Sequence, residues 1–277
     1  MLLRLVSDFR LAMDLSLVLD EEGIPHELRS AGEERWALVV DDADAARAQA
    51  ALVAFERENP PPARTERPKA SGSGAVACGL VFFLSLLAFQ IWTGAESPQS
   101  AWFARGSADA RAILGGQFWR TVTALTLHAD AGHAVGNAVL GGLLLVWLAH
   151  ALGPGVASVL LVLSGAAGTF AAAALVRRDF VSIGASTAVF GLLGALATLP
   201  QLRRRAWVPL GAGLALLAFL GTSRRADFAG HLCGFASGAV LGFAAGHLPP
   251  VRGRAAQAAL AVAAAAVPVI AWLAAFR

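Results

Sequence analysis

Long apolar blocks alternate with short polar separators across residues 71–277. A helix needs about 20 predominantly apolar residues to cross a hydrocarbon core about 30 Å thick, and several of the blocks reach that length. The pattern therefore predicts an all-α polytopic membrane protein over this part of the chain. The candidate spans are residues 75–93, 130–150, 154–176, 183–200, 206–222, 228–248 and 256–276.

Residues 1–58 follow a different pattern, in which short apolar runs alternate with charged residues. This pattern indicates a small soluble α+β domain with the order βαββα. It contains no catalytic constellation, so we interpret it as a stabilising or regulatory module. The predicted elements are strands 2–6, 24–28 and 35–40 and helices 8–19 and 43–58, with Asp41 and Asp42 offering N-cap oxygens to the second helix.

Composition changes sharply after the first domain. Residues 59–74 are rich in proline, glycine and serine and are predicted to be a linker, because prolines cannot continue a helix. Residues 75–250 then form a predicted six-helix core, and residues 251–277 hold a seventh span. The connection over residues 94–129 is long for a membrane loop. Aromatic rings prefer the membrane interface, so the aromatic residues of this connection suit a segment that lies there. These residues are Trp102, Phe103, Phe118 and Trp119.

Composition and charge agree with a membrane protein. The hydrophobic content is 57% and the mean hydropathy is +0.62, whereas a soluble domain has about 45–50% apolar residues. The net charge is only +3, and the basic residues lie at block ends, which suits membrane flanks better than a nucleic-acid surface. Cys78 and Cys233 lie in apolar blocks and are interpreted as buried thiols, and no Cys/His metal spacing is present.

The positive charges do not decide the orientation, because similar numbers of arginines fall on the two sides of the predicted spans. Asp8, Arg10 and Asp14 interrupt any apolar signal-peptide region near the first residue. The first domain is therefore expected to lie in the cytoplasm.

Polar side chains within spans are expensive and mark candidate functional sites. His133 and Asn137 stand four residues apart in the second block and share one helix face, which Gly141 continues. They could act in catalysis or only hold helices together through hydrogen bonds. His128 precedes them near the entrance of the span, where a structural hydrogen bond is the simpler interpretation.

Ser186 opens the fourth block in the run Gly184-Ala185-Ser186. A serine in a membrane helix commonly only packs against its neighbours. At the first turn of a helix, however, free backbone N–H groups can stabilise an oxyanion. The preceding Gly184 lets a substrate backbone approach closely.

His231 lies on a glycine ridge in the sixth block. His231, Gly234, Gly238 and Gly242 recur at i, i+3, i+7 and i+11, which places them on one helix face. Such a ridge permits very close contact with another helix. The histidine is therefore expected to face a neighbouring helix and to serve as a base for Ser186.

A serine hydroxyl is a weak nucleophile that needs a base within hydrogen-bond reach, and a neutral imidazole accepts its proton near pH 7. His133, Asn137 and the Ser186 N–H are the available oxyanion donors. Asp227 precedes His231 by four residues and lies near a loop. A Ser-His dyad is therefore a simpler hypothesis than a triad that includes Asp227.

Together these motifs resemble the rhomboid family of intramembrane serine proteases. In that family a His-x-x-x-Asn helix, a Gly-x-Ser motif and a His-x-x-Gly-x-x-x-Gly helix occur in this order. Here they read His133–Asn137, Gly184–Ser186 and His231–Gly238. Trp119-Arg120 stands where the family's first loop often carries Trp-Arg, and the resemblance covers residues 75–250.

The resemblance implies roles for these residues. Ser186 would be the nucleophile and His231 the general base, with His133 and Asn137 lining the oxyanion hole. Thr187 replaces a glycine that often follows the serine, so its branched side chain is expected to crowd that hole and alter rate or substrate choice. The supporting residues would be Gly184, Gly234, Gly238 and His128.

The resemblance also implies partners and a location. The substrates would be transmembrane proteins within the lipid bilayer, with no cofactor, no metal and no nucleic acid. The first domain looks like the small cytoplasmic domain of bacterial rhomboids, which implies a multi-pass protein of the bacterial inner membrane. The seventh helix would be an addition to the six-helix core.

Three other functions compete with this interpretation. A non-catalytic rhomboid-like protein that binds membrane helices typically lacks the serine or the histidine, and both are present here. A transporter or channel would favour internal repeats, which are not visible. A zinc metalloprotease would carry His-Glu-x-x-His, which is absent.

Overall fold

The computed structural model describes residues 1–32, 35–59, 72–176, 181–200 and 227–277, together with the single positions 202, 208 and 211. The chain divides into two compact units, residues 1–66 and 67–277. The predicted fifth span, 206–222, lies outside the described residues except at two positions. The same holds for most of the predicted linker, because residues 60–71 are not described.

The first unit is a three-stranded antiparallel sheet with two helices. The central strand β3 (Trp36–Val40) pairs with both β1 (Leu2–Val6) and β2 (His26–Ser30), so the sheet order is β1-β3-β2. Leu15, Leu19, Leu38 and Leu52 form much of its buried core. The predicted order βαββα is confirmed. The elements are β1 (Leu2–Val6), α1 (Phe9–Glu21), β2 (His26–Ser30), β3 (Trp36–Val40) and α2 (Ala45–Glu58).

Two predictions at helix starts are wrong. Helix α2 begins at Ala45, and its N-cap is Asp44 without a side-chain cap, so Asp41 and Asp42 do not cap it. The backbone N–H of Asp44 donates to the Asp41 carbonyl in a turn that delays the helix. The next helix, α3, begins at Gly72, so Gly72–Gly74 are helical and not linker.

The second unit contains five helices long and apolar enough to cross a membrane, together with a shorter apolar helix, among the described residues. We therefore describe it as an integral membrane protein with a mostly helical fold. The long helices are α3 (Gly72–Thr93), α7 (Ala131–Leu152), α8 (Pro154–Val176), α10 (Phe228–His247) and α11 (Arg254–Ala275), and the shorter one is α9 (Ser186–Thr198).

Helix α9 is the centre of this unit. All its residues from Thr187 to Leu196 are buried, and α7, α8 and α10 pack against it. An apolar helix without a polar face lies either in a protein core or against lipid, and these contacts place α9 in the core. With 13 residues and a rise of about 1.5 Å per residue, α9 covers about 20 Å, which is shorter than the hydrocarbon core.

The long connection between α3 and α7 is folded. Arg120 fixes it by donating from Nη1 to the Ser107 carbonyl at 2.8 Å and from Nη2 to the Ala104 carbonyl at 3.0 Å. Phe103 is buried, whereas Phe118 is exposed. The connection contains α4 (Ala101–Gly106), β4 (Ala108–Asp109), α5 (Ala110–Leu114), α6 (Arg120–Thr123) and a 3-10 turn (Ala124–Thr126), and β4 pairs antiparallel with β5 (Val181–Ser182).

Helix α11 is fastened to the rest of the unit near both of its ends. At its start, the Gln257 side chain accepts from the Gly155 N–H at 2.7 Å and donates to the Leu152 carbonyl at 3.1 Å. Near its end, Trp272 packs against Trp102 and Phe89, with ring centroids 4.9 and 5.6 Å away. The predicted seventh span is thus an integral part of this unit.

Candidate active site

The backbone before Ser186 is held by two hydrogen bonds from outside its own segment. The Gly184 N–H donates to the Ala124 carbonyl at 2.8 Å, and the Ala185 N–H donates to His128 Nε2 at 3.2 Å. Gly184 has a φ of +119°, which L-residues with a side chain rarely adopt. A glycine is therefore required immediately before the turn into α9.

Ser186 and His231 meet at the start of α9. Ser186 Oγ lies 2.9 Å from His231 Nε2, although the two residues are 45 positions apart. His231 is buried and Ser186 is half-buried. When the neutral imidazole carries its proton on Nδ1, the serine hydroxyl donates to Nε2, which is the arrangement that activates a nucleophile.

The glycine ridge of α10 faces α9. A methyl group at Gly234 would overlap the Thr187 carbonyl oxygen, and one at Gly238 would overlap the Gly191 carbonyl oxygen. Farther along, a Cβ at Gly242 would lie 2.5 Å from Ala195 Cα. Backbone therefore packs directly on backbone along this helix pair, and the ridge brings His231 within reach of Ser186.

Phe190 holds the imidazole plane and was not singled out from the sequence. Its ring stacks on His231 with centroids 4.6 Å apart and an interplanar angle of 21°. Phe190 stands four residues after Ser186, so both project from the same face of α9. That spacing was the available signal, but an aromatic residue in an apolar helix is ordinarily interpreted as core.

Asp227 acts as a helix cap. Its Oδ1 accepts from the Gly230 N–H at 2.7 Å, which satisfies a free donor in the first turn of α10. This contact explains Asp227 without a role as the third member of a triad.

His133 and Asn137 lie beside Gly184. A Cβ at Gly184 would be 2.9 Å from His133 Nε2 and 3.6 Å from Asn137 Nδ2, so only glycine leaves the space before these nitrogens open. Asn137 Nδ2 is buried and has no hydrogen-bond partner among the described residues. His133 Nδ1 accepts from the Ala129 N–H at 3.5 Å, which favours a proton on Nε2.

His128 is completely buried and supports the turn before Ser186 through its contact with the Ala185 N–H. Burial, with a smaller contribution from the neighbouring His133, lowers the pKa of His128 to about 4. The imidazole is therefore neutral at physiological pH. A neutral Nε2 without a proton is what the Ala185 N–H needs as an acceptor.

The side chain of Thr187 points to a different place from the one expected. It is buried, and its Cγ2 lies 3.0 Å from the Cβ positions that side chains at Gly168 and Gly234 would take. The methyl group thus fills the junction of α8, α9 and α10. The expectation that it crowds the space beside His133 and Asn137 is not supported by this packing.

This arrangement has the components of an acyl-transfer site. The Ser186 hydroxyl and the His231 imidazole are in hydrogen-bond contact. The side-chain nitrogens of His133 and Asn137 lie beside Gly184, two residues earlier in the chain than Ser186. The pair lies inside a bundle of membrane-length helices, so such chemistry would occur within the membrane. Residues 115–247 match the Rhomboid domain.

The Rhomboid domain match includes Ser186, His231, His133, Asn137 and His128, whereas α3 and α11 lie outside it. Three similar curated proteins also have the word rhomboid in their names. RHOMBOID-like protein 7 of Arabidopsis thaliana is 31% identical over 134 residues, which are 46% of this chain and 42% of that protein. Rhomboid-like protease 3 of Toxoplasma gondii is 33% identical over 145 residues, or 49% of this chain and 55% of that protein.

RHOMBOID-like protein 1 of Arabidopsis thaliana is 31% identical over 134 residues, which are 46% of this chain and 34% of that protein. The chain therefore aligns with between about a third and about a half of the length of these relatives. The Rhomboid domain match, residues 115–247, falls on the helices that carry the candidate site.

The backbone contact between α9 and α10 predicts opposite results for one substitution at two helical glycines. Gly234→Ala should lower thermal stability and slow turnover by about 10²-fold, because it pushes His231 away from Ser186 by about 1 Å. Gly136→Ala is the matched control, since a Cβ at Gly136 meets nothing within 4 Å. There the gain in helix propensity, about 1 kcal/mol, should maintain or raise stability. Equal stability and turnover in the two variants would contradict the ridge geometry.

The low pKa of His128 predicts acid sensitivity. The folded pKa of about 4 lies below the ordinary value of 6.5, so the unfolded chain binds the proton more tightly. The contribution of His128 to stability is complete above pH 6.5 and falls by about 3 kcal/mol as the pH approaches 4. His128→Gln keeps an acceptor and removes this titration. Its melting temperature in detergent should fall less than the wild type's between pH 7 and pH 4.5, and parallel curves would contradict the assignment.

Proposed function

We propose that this protein is a serine endopeptidase of the rhomboid type, which hydrolyses peptide bonds in or near the transmembrane segments of other proteins. The observation that carries the proposal is the 2.9 Å contact between Ser186 Oγ and His231 Nε2 within a bundle of membrane-length helices. The match of residues 115–247 to the Rhomboid domain supports it. So does the printed name of one similar protein, a rhomboid-like protease.

In the first half of the reaction, Ser186 Oγ attacks the scissile carbonyl carbon and its proton passes to His231 Nε2. The carbonyl oxygen becomes an oxyanion. Asn137 Nδ2, His133 Nε2–H and the Ser186 N–H are the donors that would stabilise it. The tetrahedral intermediate then collapses, the C–N bond breaks, and His231 gives its proton to the leaving amine.

The acyl-enzyme that remains is an ester of Ser186. Water attacks the ester carbonyl while His231 Nε2 accepts a water proton, and a second tetrahedral intermediate forms at the same donors. When the C–O bond to Ser186 breaks, the imidazolium returns the proton to Oγ. The balance is one peptide bond and one water consumed, with a carboxylic acid and an amine formed; the acid then ionises. No cofactor or metal is needed.

The short length of α9 supports a site below the membrane surface. Because α9 covers about 20 Å of a core about 30 Å thick, Ser186 at its first position lies inside the bilayer when the other helix end is near the opposite surface. Water must still reach Ser186 from one aqueous face. A substrate helix must also open there, since its carbonyls are otherwise held in intrahelical hydrogen bonds.

These constraints define the substrate class. We propose transmembrane proteins with small or helix-breaking residues near the face from which water enters, because glycine and proline weaken helices most. We propose that Ser186 and His231 lie toward the non-cytoplasmic face of a bacterial inner membrane. Cleavage would then release the outer portion of the substrate.

The dyad is tested with Ser186→Ala and His231→Ala. Each should abolish cleavage of a single-span substrate in proteoliposomes, because the serine and its base act as one unit. The double variant should therefore be no worse than either single one. Product mass spectrometry locates the cut. Each variant must keep the wild-type melting temperature within a few degrees for the comparison to hold. Cleavage near the wild-type rate in either single variant would sink the proposal and favour a non-catalytic protein that only binds membrane helices.

The oxyanion donors are tested at Asn137. Asn137→Ala should reduce kcat by about 10²–10³-fold with a small change in KM, since the hydrogen bond gains most strength in the transition state. Its buried Nδ2 has no described partner to lose, so the melting temperature should change little. A lower melting temperature with normal kcat in the folded fraction would instead assign Asn137 to helix packing.

A further inference from the structure

We infer that α11 positions the catalytic serine, through a hydrogen bond from Trp272 to the loop segment that holds the Gly184-Ala185 turn. Trp272 touches neither Ser186 nor His231 and is therefore a positioning residue. The inference rests on the proposed function of Ser186. It concerns a helix outside the Rhomboid match, which ends at residue 247.

The first step is the hydrogen bond itself. Trp272 Nε1–H donates to Thr126 Oγ1 at 3.0 Å, and Thr126 Oγ1 donates to the Thr123 carbonyl at 2.7 Å. The hydroxyl is thus both acceptor and donor, and its orientation is fixed at both ends. A buried indole N–H without an acceptor is unfavourable, so Trp272 and Thr126 hold each other in place.

The second step concerns the packing of the Trp272 indole ring. Trp272 is 8% exposed, and its ring occupies the space that a side chain at Gly106 would need. Gly106 in turn accepts from Thr123 Oγ1 at 2.8 Å. Arg105 adds a bond to the Ala275 carbonyl at 3.4 Å and lies 5.0 Å from the ring centre of Phe276. The end of α11 and the loop before α7 therefore pack as one body.

The third step links Thr126 to the reaction centre. Two residues before Thr126, the Ala124 carbonyl accepts from the Gly184 N–H. Two residues after it, His128 Nε2 accepts from the Ala185 N–H. Leu127 between them is completely buried. The N–H groups that precede Ser186 are therefore both bonded to segment 124–128, whose central hydroxyl is fixed by α11.

This geometry matters because the turn before Ser186 places both the nucleophile and an oxyanion donor. A shift of segment 124–128 moves Gly184 and Ala185, and with them the Ser186 N–H and Oγ. A displacement of about 1 Å at a reacting group can cost about 10²-fold in rate. Loss of one supporting hydrogen bond should produce a smaller displacement, so we expect a fall in kcat of about 10-fold.

The test compares Thr126→Val, which keeps the shape of the side chain but removes the hydroxyl, with Thr126→Ser, which retains it. Trp272→Phe removes the donor from the other side. Thr126→Val and Trp272→Phe should each lower kcat and the labelling rate of Ser186 by a fluorophosphonate about 10-fold, with KM within about twofold. Because both remove one interaction, the double variant should equal the single ones. Thr126→Ser keeps the hydroxyl and should therefore keep kcat near the wild-type value.

Gln257→Ala is the matched control. It loosens the other end of α11, where the side chain bonds Gly155 and Leu152, far along the helix from Thr126. It should lower the melting temperature while leaving kcat of the folded fraction unchanged. If Thr126→Val and Trp272→Phe lose activity only to the extent that Gln257→Ala does, the inference is overturned and α11 is a general stabilising helix.

Hydrogen exchange separates failure of this inference from failure of the proposed function. Amides 184 and 185 should exchange faster in Thr126→Val and Trp272→Phe than in wild type or Gln257→Ala, because their acceptors have become mobile. Unchanged exchange with normal cleavage would overturn the positioning role alone. A wild-type protein that neither cleaves substrate nor reacts at Ser186 would sink the proposed function, and faster exchange in the two variants would still support the link from α11.

Discussion

The close approach of two backbones determines the geometry of the candidate site. Helices α9 and α10 meet through glycines on α10 that contact carbonyl groups of α9, and this contact sets the distance from Ser186 to His231. In lipid, burial of apolar side chains gives helices no net attraction for each other, so packing and interhelical hydrogen bonds must hold them together. Glycine allows the closest packing. The same residues therefore serve the stability of the bundle and the alignment of Ser186 with His231.

Much of this organisation could be predicted from the sequence. The apolar blocks located α3, α7, α8, α9, α10 and α11 to within a few residues, and the periodicity of His231 with its glycines indicated one helix face. Ser186 was expected in the first turn of the fourth span, predicted over residues 183–200, and α9 begins at Ser186. These features are local, and they depend on chain spacing that can be read directly.

Features that depend on contacts across the fold could not be predicted in this way. The stacking of Phe190 on His231 and the bond from Trp272 to Thr126 join positions 41 and 146 residues apart. An aromatic residue in an apolar helix looks like any other core residue until its neighbour is known. The side chain of Thr187 shows the same difficulty, because sequence identifies the substitution but not the direction in which the branched carbon points. Helix α3 begins at Gly72 despite the low helix propensity of glycine.

The complete enclosure of α9 has a consequence for how the membrane acts on this protein. Bilayers differ in thickness by several ångströms, and helices with a lipid-facing surface adapt to them by tilting. Residues Thr187 to Leu196 of α9 have no such surface. Among the described helices, a thicker or thinner bilayer therefore acts on α9 through the tilt of α7, α8 and α10. His231 belongs to α10, one of those outer helices, and Ser186 belongs to the enclosed α9. The chain length of the surrounding lipids is therefore expected to change the distance between Ser186 and His231.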